Sequence, residues 1–174
     1  MFMRNRRRFV FPFAFLLSTL AASVCAGPQL GQPIKPEEWA AWDIDVSPDG
    51  AGLPSGAGIA EQGAVVYQRD CQACHGDMAS GGLNVALAGR GPAIRNRTVG
   101  NYWPFATTLF DYIRRAMPLN QPQSLSSDDT YAVTAYLLFL NSIIPEDLVL
   151  DAASLPQIVM PNRESFDSSV FDSE

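Results

Sequence analysis

The pentapeptide Cys71-Gln72-Ala73-Cys74-His75 constrains this 174-residue chain more than any other feature. Two thiols three positions apart at a helix end can add to the two vinyl groups of one haem, and the next residue then presents its imidazole to the iron. Two other chemistries use a Cys-x-x-Cys pair. A thioredoxin-like dithiol wants a strand–helix–strand context and has no use for the following histidine, whereas here the flanks read as a helix and a glycine loop. A zinc site needs four ligands, and beyond Cys25 of the N-terminal leader the chain offers three of the Cys/His kind, Cys71, Cys74 and His75. The expected cofactor is one covalent haem c, held through Cys71 and Cys74, with His75 as an axial ligand of the iron.

No second histidine exists for the sixth position, so the natural ligand is a methionine, which raises the reduction potential of the iron. Met78 stands three residues past His75 and cannot reach the opposite haem face. Met117, in Arg114-Arg115-Ala116-Met117-Pro118, precedes the longest apolar stretch and would close a wide loop over the haem. Met160 lies beyond that stretch and reads better as tail packing. Met117 is therefore the expected ligand, with Met160 the alternative.

Residues 1–26 read as an export signal. Arg4, Arg6, Arg7 and Arg8 make a basic start, Phe9 to Leu20 an apolar run, and Ala21 to Ala26 a small-residue stretch suited to cleavage after Ala26. Phe9 to Val24 falls short of the ~20 residues that a membrane span needs. Cleavage would discard Cys25 and leave an exported, periplasmic protein with no membrane span. It would also change the charge. Net charge is -6 overall, but without those four arginines eight basic residues face 18 acidic ones, a net of -10. So acidic a body is unsuited to nucleic acid, which demands clustered Lys and Arg.

Residues 27–58 hold six glycines and five prolines, a composition for an extended arm rather than a long helix, pinned by Trp39 and Trp42. Ile59 to Asp70 places Ile59, Gly63, Val66 and Tyr67 on one helical face. Residues 76–104 return to Gly, Pro and Asn and read as a long loop. A short helix over Thr107–Ala116 ends at Pro118. Ser126 to Ile144 is the clearest helix, with Ser126 and Asp129 suited to capping. Its apolar residues fall on more than one side, so a second cover is needed, either the tail Leu148 to Pro161 or a partner. The domain expectation is 1–26 leader, 27–58 arm, 59–145 haem domain and 146–174 tail with a frayed acidic end.

A haem-ligating histidine usually donates its other ring N–H to a carbonyl. Pro92, in the loop after His75, is the expected acceptor, although it also reads as an ordinary turn proline. Trp103, Tyr102 and Arg97 are candidates for the haem propionates, with core or surface roles as the alternative. Gly63 and Tyr136 mark an expected crossing of the first and last helices. Arg90, Arg95, Arg97, Arg114 and Arg115 cluster between positions 90 and 115, where a basic rim would steer an acidic partner.

With these residues in view, the sequence resembles a class I cytochrome c over about residues 59–144. The match runs through Gly63-x-x-x-Tyr67, the haem pentapeptide, Gly91-Pro92, Met117-Pro118 and Ala135-Tyr136-Leu137. This resemblance implies an all-α fold with three main helices around one haem. A narrower resemblance covers most of the chain after the leader: Thr98 through Pro118, Pro122-Gln123-Ser124-Leu125, Leu155-Pro156 through Asn162, Trp42-Asp43-Ile44 and Pro48-Asp49-Gly50. These stretches are similar to the cytochrome subunit of the Sox sulfur dehydrogenase and of related sulfite dehydrogenases. That likeness implies a molybdenum sulfite or sulfane dehydrogenase as electron donor, and a mobile cytochrome or terminal oxidase as acceptor. The long Sox subunit carries two haems, whereas this chain has one such pentapeptide.

Three functional classes remain open at this point. One is an electron-transfer subunit with no catalytic residue of its own. The second is a catalytic or gas-binding haem protein with an open iron. The third is a cytochrome that diffuses freely without a dedicated enzyme.

Overall fold

The computed structural model describes residues 31–92 and 96–165. The leader over 1–26, Arg95 and the acidic end of the tail over 166–174 lie outside the described residues. The chain divides into a unit ending at Ala41 and a second unit from Trp42 onward. Helix α1, Pro36–Trp42, runs across that division. Proline opens it, where a missing N–H costs nothing, and Glu37 and Glu38 stand in its first turn.

The second unit holds α2 (Ala60–Asp70), the single turn α3 (Gln72–His75), α4 (Ala106–Ala116) and α5 (Ser127–Leu140). Two-residue strands β1 (Ala57–Gly58) and β2 (Leu150–Asp151) pair antiparallel, Gly58 opposite Leu150. The core is built where α2 and α4 each pack on α5, with Phe110 and Tyr131 fully buried and their rings 4.5 Å apart.

α2 and α5 cross at the expected glycine. A Cβ on Gly63 would fall on the Ala132 carbonyl and lie 2.8 Å from the Tyr136 Cβ. The absence of a side chain lets the two backbones touch, and the Tyr67 and Tyr136 rings then pack with centroids 5.3 Å apart. Ile59 caps α2 from outside rather than joining its buried face; the face is Ala60, Gly63, Val66 and Tyr67.

α5 starts as its sequence implies, with Ser126 Oγ accepting the Asp129 N–H at 3.1 Å. It is buried almost all round, from Thr130 through Ala135 and again at Leu137 and Leu138. The buried Thr130 and Thr134 hydroxyls donate to carbonyls one turn back, those of Ser126 and Thr130. β1 and β2 pack against this helix, so the tail supplies the second cover. Leu150, Leu155 and Met160 of the tail are buried, and Val159 forms a β-bridge with Phe105.

α5 stops four residues before the apolar pattern does. Ser142 adopts a left-handed φ of 53°. The Ser142 N–H then bonds the Phe139 carbonyl and the Ile143 N–H the Leu138 carbonyl, the Schellman arrangement that satisfies a helix C-terminus.

Over residues 43–58 the arm runs without a helix, turning at Pro48-Asp49 and Ala51-Gly52 before β1, and tryptophans do not pin it: Trp39 and Trp42 are 60% and 82% exposed. Polar side chains hold its backbone instead. Tyr131 Oη donates to the Pro54 carbonyl at 2.9 Å, and Asp128 Oδ1 accepts the Ala57 N–H at 2.9 Å. Among the described residues no helix is long and apolar enough to cross a membrane.

Candidate functional site

The pentapeptide sits where α2 ends. The Cys71 N–H closes α2 on the Tyr67 carbonyl, and the Cys71 carbonyl then accepts the N–H groups of Cys74 and His75 at 3.1 and 3.0 Å. One tight turn thus brings both thiols and the imidazole together. Cys71 and Cys74 are both free thiols, the first half-buried and the second exposed. Burial, and then the adjacent Asp70 charge, pushes the Cys71 thiol up to about 11. Tyr67 buttresses the turn from behind, its Oη donating to the Gly76 carbonyl at 2.8 Å.

His75 Nδ1 lies 2.9 Å from the Val85 carbonyl. The acceptor expected at Pro92 is therefore supplied seven residues earlier, and Pro92 itself is exposed. The reason is the path of the loop. After a 3₁₀ turn over Asp77–Ala79, the Asn84 N–H bonds the Cys74 carbonyl and the Leu87 N–H bonds the Ala79 carbonyl. That return passes Val85 beside His75 before the chain reaches Gly91-Pro92. With Nδ1 engaged as a donor, Nε2 is left as the ring's lone-pair nitrogen.

A cleft of about 600 Å³ opens next to this turn, lined among others by His75, Leu87, Val99, Trp103, Ile113 and Met117. Met117 is the C-cap of α4, its N–H bonding the Ile113 carbonyl at 3.0 Å. The structure thus brings together the imidazole and the expected thioether on one cavity. The other two methionines beyond the leader do not line it. Met78 is exposed, with the Tyr136 hydroxyl directed at its sulfur at 3.9 Å. Met160 is 1% exposed, in the core of the tail.

Trp103 lines the cleft and packs against Tyr102 and Tyr112, with centroids 5.8 and 5.6 Å away. Arg97 lies on the cleft too, its guanidinium 4.8 Å from the centre of the Tyr102 ring. The other described members of the arginine cluster bond backbone or acid elsewhere. Arg90 donates to the Ser142 carbonyl, Arg114 to the Ile44 carbonyl, and Arg115 pairs with Asp111. A basic rim is therefore represented on the cleft by Arg97 alone among them.

Sequence reasoning missed Asn141. Only 2% exposed, it accepts the Gly89 N–H at 2.9 Å and donates to the Leu87 carbonyl at 3.1 Å and the Leu137 carbonyl at 2.8 Å. It ties the cleft loop to the last helix. The available signal was a lone amide at the end of an apolar helix, which periodicity alone reads as a cap.

Residues 58–137 match the family described as cytochrome c oxidase, cbb3-type, subunit III. No curated protein matches the chain. A chain in the crystal structure of the sulfane dehydrogenase SoxCD from Paracoccus pantotrophus is similar at 39% identity and a TM-score of 0.74, over 84% of this chain and 75% of that one. Fold, pentapeptide and cleft define a cytochrome c domain, and the chain belongs to the class I c-type cytochromes. Within that class its likeness is to a chain of the sulfane dehydrogenase SoxCD.

A cytochrome c domain implies haem c, and the residues fit it. The cleft falls within the ~300–1,000 Å³ of small-ligand sites. Its lining is largely apolar, an imidazole and a thioether stand on it, and two free thiols lie in the same turn as the imidazole.

Proposed function

We propose that this protein is an exported cytochrome that carries one covalent haem c. It accepts single electrons from a molybdenum sulfite or sulfane dehydrogenase and passes them to a mobile cytochrome or terminal oxidase in the periplasm. The observation that carries this reading is the presence of His75 and Met117 on one apolar cleft. When bound, haem supplies an iron that changes oxidation state by one electron.

The chain's own residues do the rest. Cys71 and Cys74 would anchor the porphyrin, each thiol adding to one vinyl group. The Val85 carbonyl holds the His75 ring in one tautomer and orientation and makes Nε2 a stronger donor. Met117 would hold the iron as its sixth ligand through its soft sulfur, which favours the reduced state. Leu87, Val99, Trp103 and Ile113 keep water from the cleft, which limits the rearrangement that accompanies a change of charge. Arg97, the one described arginine of its cluster on the cleft, would pair with a propionate. The likeness to a sulfane dehydrogenase chain supports the choice of donor.

The test is rapid mixing of the oxidised holoprotein with a molybdenum sulfane or sulfite dehydrogenase and its substrate. Stoichiometric one-electron reduction that requires the dehydrogenase supports the proposal. Reduction by neither enzyme overturns the choice of donor. Tight carbon monoxide or cyanide binding at neutral pH in the unmodified protein would instead support an open iron site.

A further inference from the structure

Three residues on one side of α4 hold the arm. Thr107 Oγ1 donates to the Pro48 carbonyl at 3.2 Å, Asp111 Oδ1 accepts the Val46 N–H at 3.0 Å, and Arg114 Nη1 donates to the Ile44 carbonyl at 3.0 Å. Positions 107, 111 and 114 stand at helical spacing on one face. Positions 44, 46 and 48 alternate along an extended chain, so their backbone groups face one way. The lengths also agree. Four residues of extended chain span ~13 Å and seven of helix ~10 Å, so the arm lies along α4 in the opposite direction with each second residue in register.

The clamp reaches the end of the helix that delivers Met117. Asp111 is 6% exposed and also pairs with Arg115, one turn on. α4 ends at Ala116, and Met117 follows with its N–H still bonded to Ile113. Met117 is therefore the first residue past a helix whose last two turns are tied to residues 44–48. Without the arm, Asp111 would be an inward carboxylate lacking its backbone partner, and the final turn of α4 would be free to fray.

We infer that Thr107, Asp111 and Arg114 are positioning residues that act through the arm to keep Met117 on the cleft. The hold of the sixth ligand thus depends on a segment more than 60 residues away in sequence. The inference rests on the reading of Met117 as ligand.

The experiment uses the full-length holoprotein and five variants: Thr107→Val with Arg114→Met combined, Asp111→Ala, Asp111→Asn, Met117→Ala and, as a stability control, Ser154→Ala. Two readouts are followed: the Met–iron charge-transfer band of the oxidised protein and carbon monoxide association with the reduced protein. Loss of two arm bonds in the Thr107/Arg114 variant speeds carbon monoxide binding about tenfold, the scale of a net hydrogen bond or two, and weakens the band. Asp111→Ala does the same, and Asp111→Asn, which keeps an oxygen for the Val46 N–H, stays closer to the parent. Ser154→Ala, which removes the tail bonds from the Asp151 N–H and to the Val149 carbonyl away from the cleft lining, lowers stability without changing the carbon monoxide rate; equal acceleration there would mean that general loosening is the cause and would overturn the inference. A parental band and rate in the Thr107/Arg114 variant, with the band lost in Met117→Ala, overturns the inference alone. A band that survives Met117→Ala overturns the ligand reading itself.

Discussion

Gly63 of α2 and Ala132 of α5 approach so closely that one added methyl would occupy the position of the Ala132 carbonyl. The obstacle is helix backbone, which cannot swing aside as a side-chain tip can. Gly63→Ala is therefore expected to destabilise the protein by about 1–3 kcal/mol, the usual cost of overpacking. A lowered urea midpoint with an unchanged slope checks it.

Asn141 holds the cleft loop by two bonds, from the Gly89 N–H and to the Leu87 carbonyl. Asn141→Leu keeps the approximate volume but leaves both backbone groups without this partner in a buried place. A loss of about 2 kcal/mol is expected from such a change, measured as a drop in the thermal midpoint of the holoprotein.

Attachment through both thiols predicts that Cys74→Ala, made in a host with haem-attachment machinery, loses most of its haem after denaturing electrophoresis. Haem staining of the gel reads this directly, and undiminished staining would sink covalent attachment through Cys74.

Burial pushes the Tyr67 phenol up to about 12. An unfolded tyrosine ionises near ~10, so the folded state favours the neutral form. Its contribution is complete below pH ~10 and is lost as pH rises toward about 12. Tyr67→Phe is expected to flatten the fall of stability across that alkaline window while also losing the bond to Gly76. Urea midpoints on either side of pH ~10 for parent and variant make the comparison.

The haem pentapeptide, the three main helices and the glycine crossing were legible because each rests on local spacing. Cys71, Cys74 and His75 share one turn, Gly63 stands on the apolar stripe of its helix, and Ser126 caps where its type implies. The acceptor for His75 was not legible. A backbone carbonyl carries no side-chain signature, and whether it belongs to Val85 or Pro92 depends on how a glycine-rich loop returns. The arm was misread for a related reason. Two tryptophans looked like anchors, but the work is done by backbone groups bonded to Thr107, Asp111 and Arg114, a pairing between segments about 60 residues apart. Asp111 also breaks the usual rule that acids stay outside, and only its partners, the Val46 N–H and Arg115, make its burial acceptable.

The central claim is that His75 and Met117 together hold the iron of an electron-carrying haem. The most direct measurement is the absorption spectrum of the oxidised holoprotein in the region of the Met–iron charge-transfer band, for the parent, Met117→Ala and Met160→Leu. The account predicts the band in the parent and in Met160→Leu, and its loss in Met117→Ala together with a lowered reduction potential. A band that persists in Met117→Ala, or that vanishes in Met160→Leu, would contradict it.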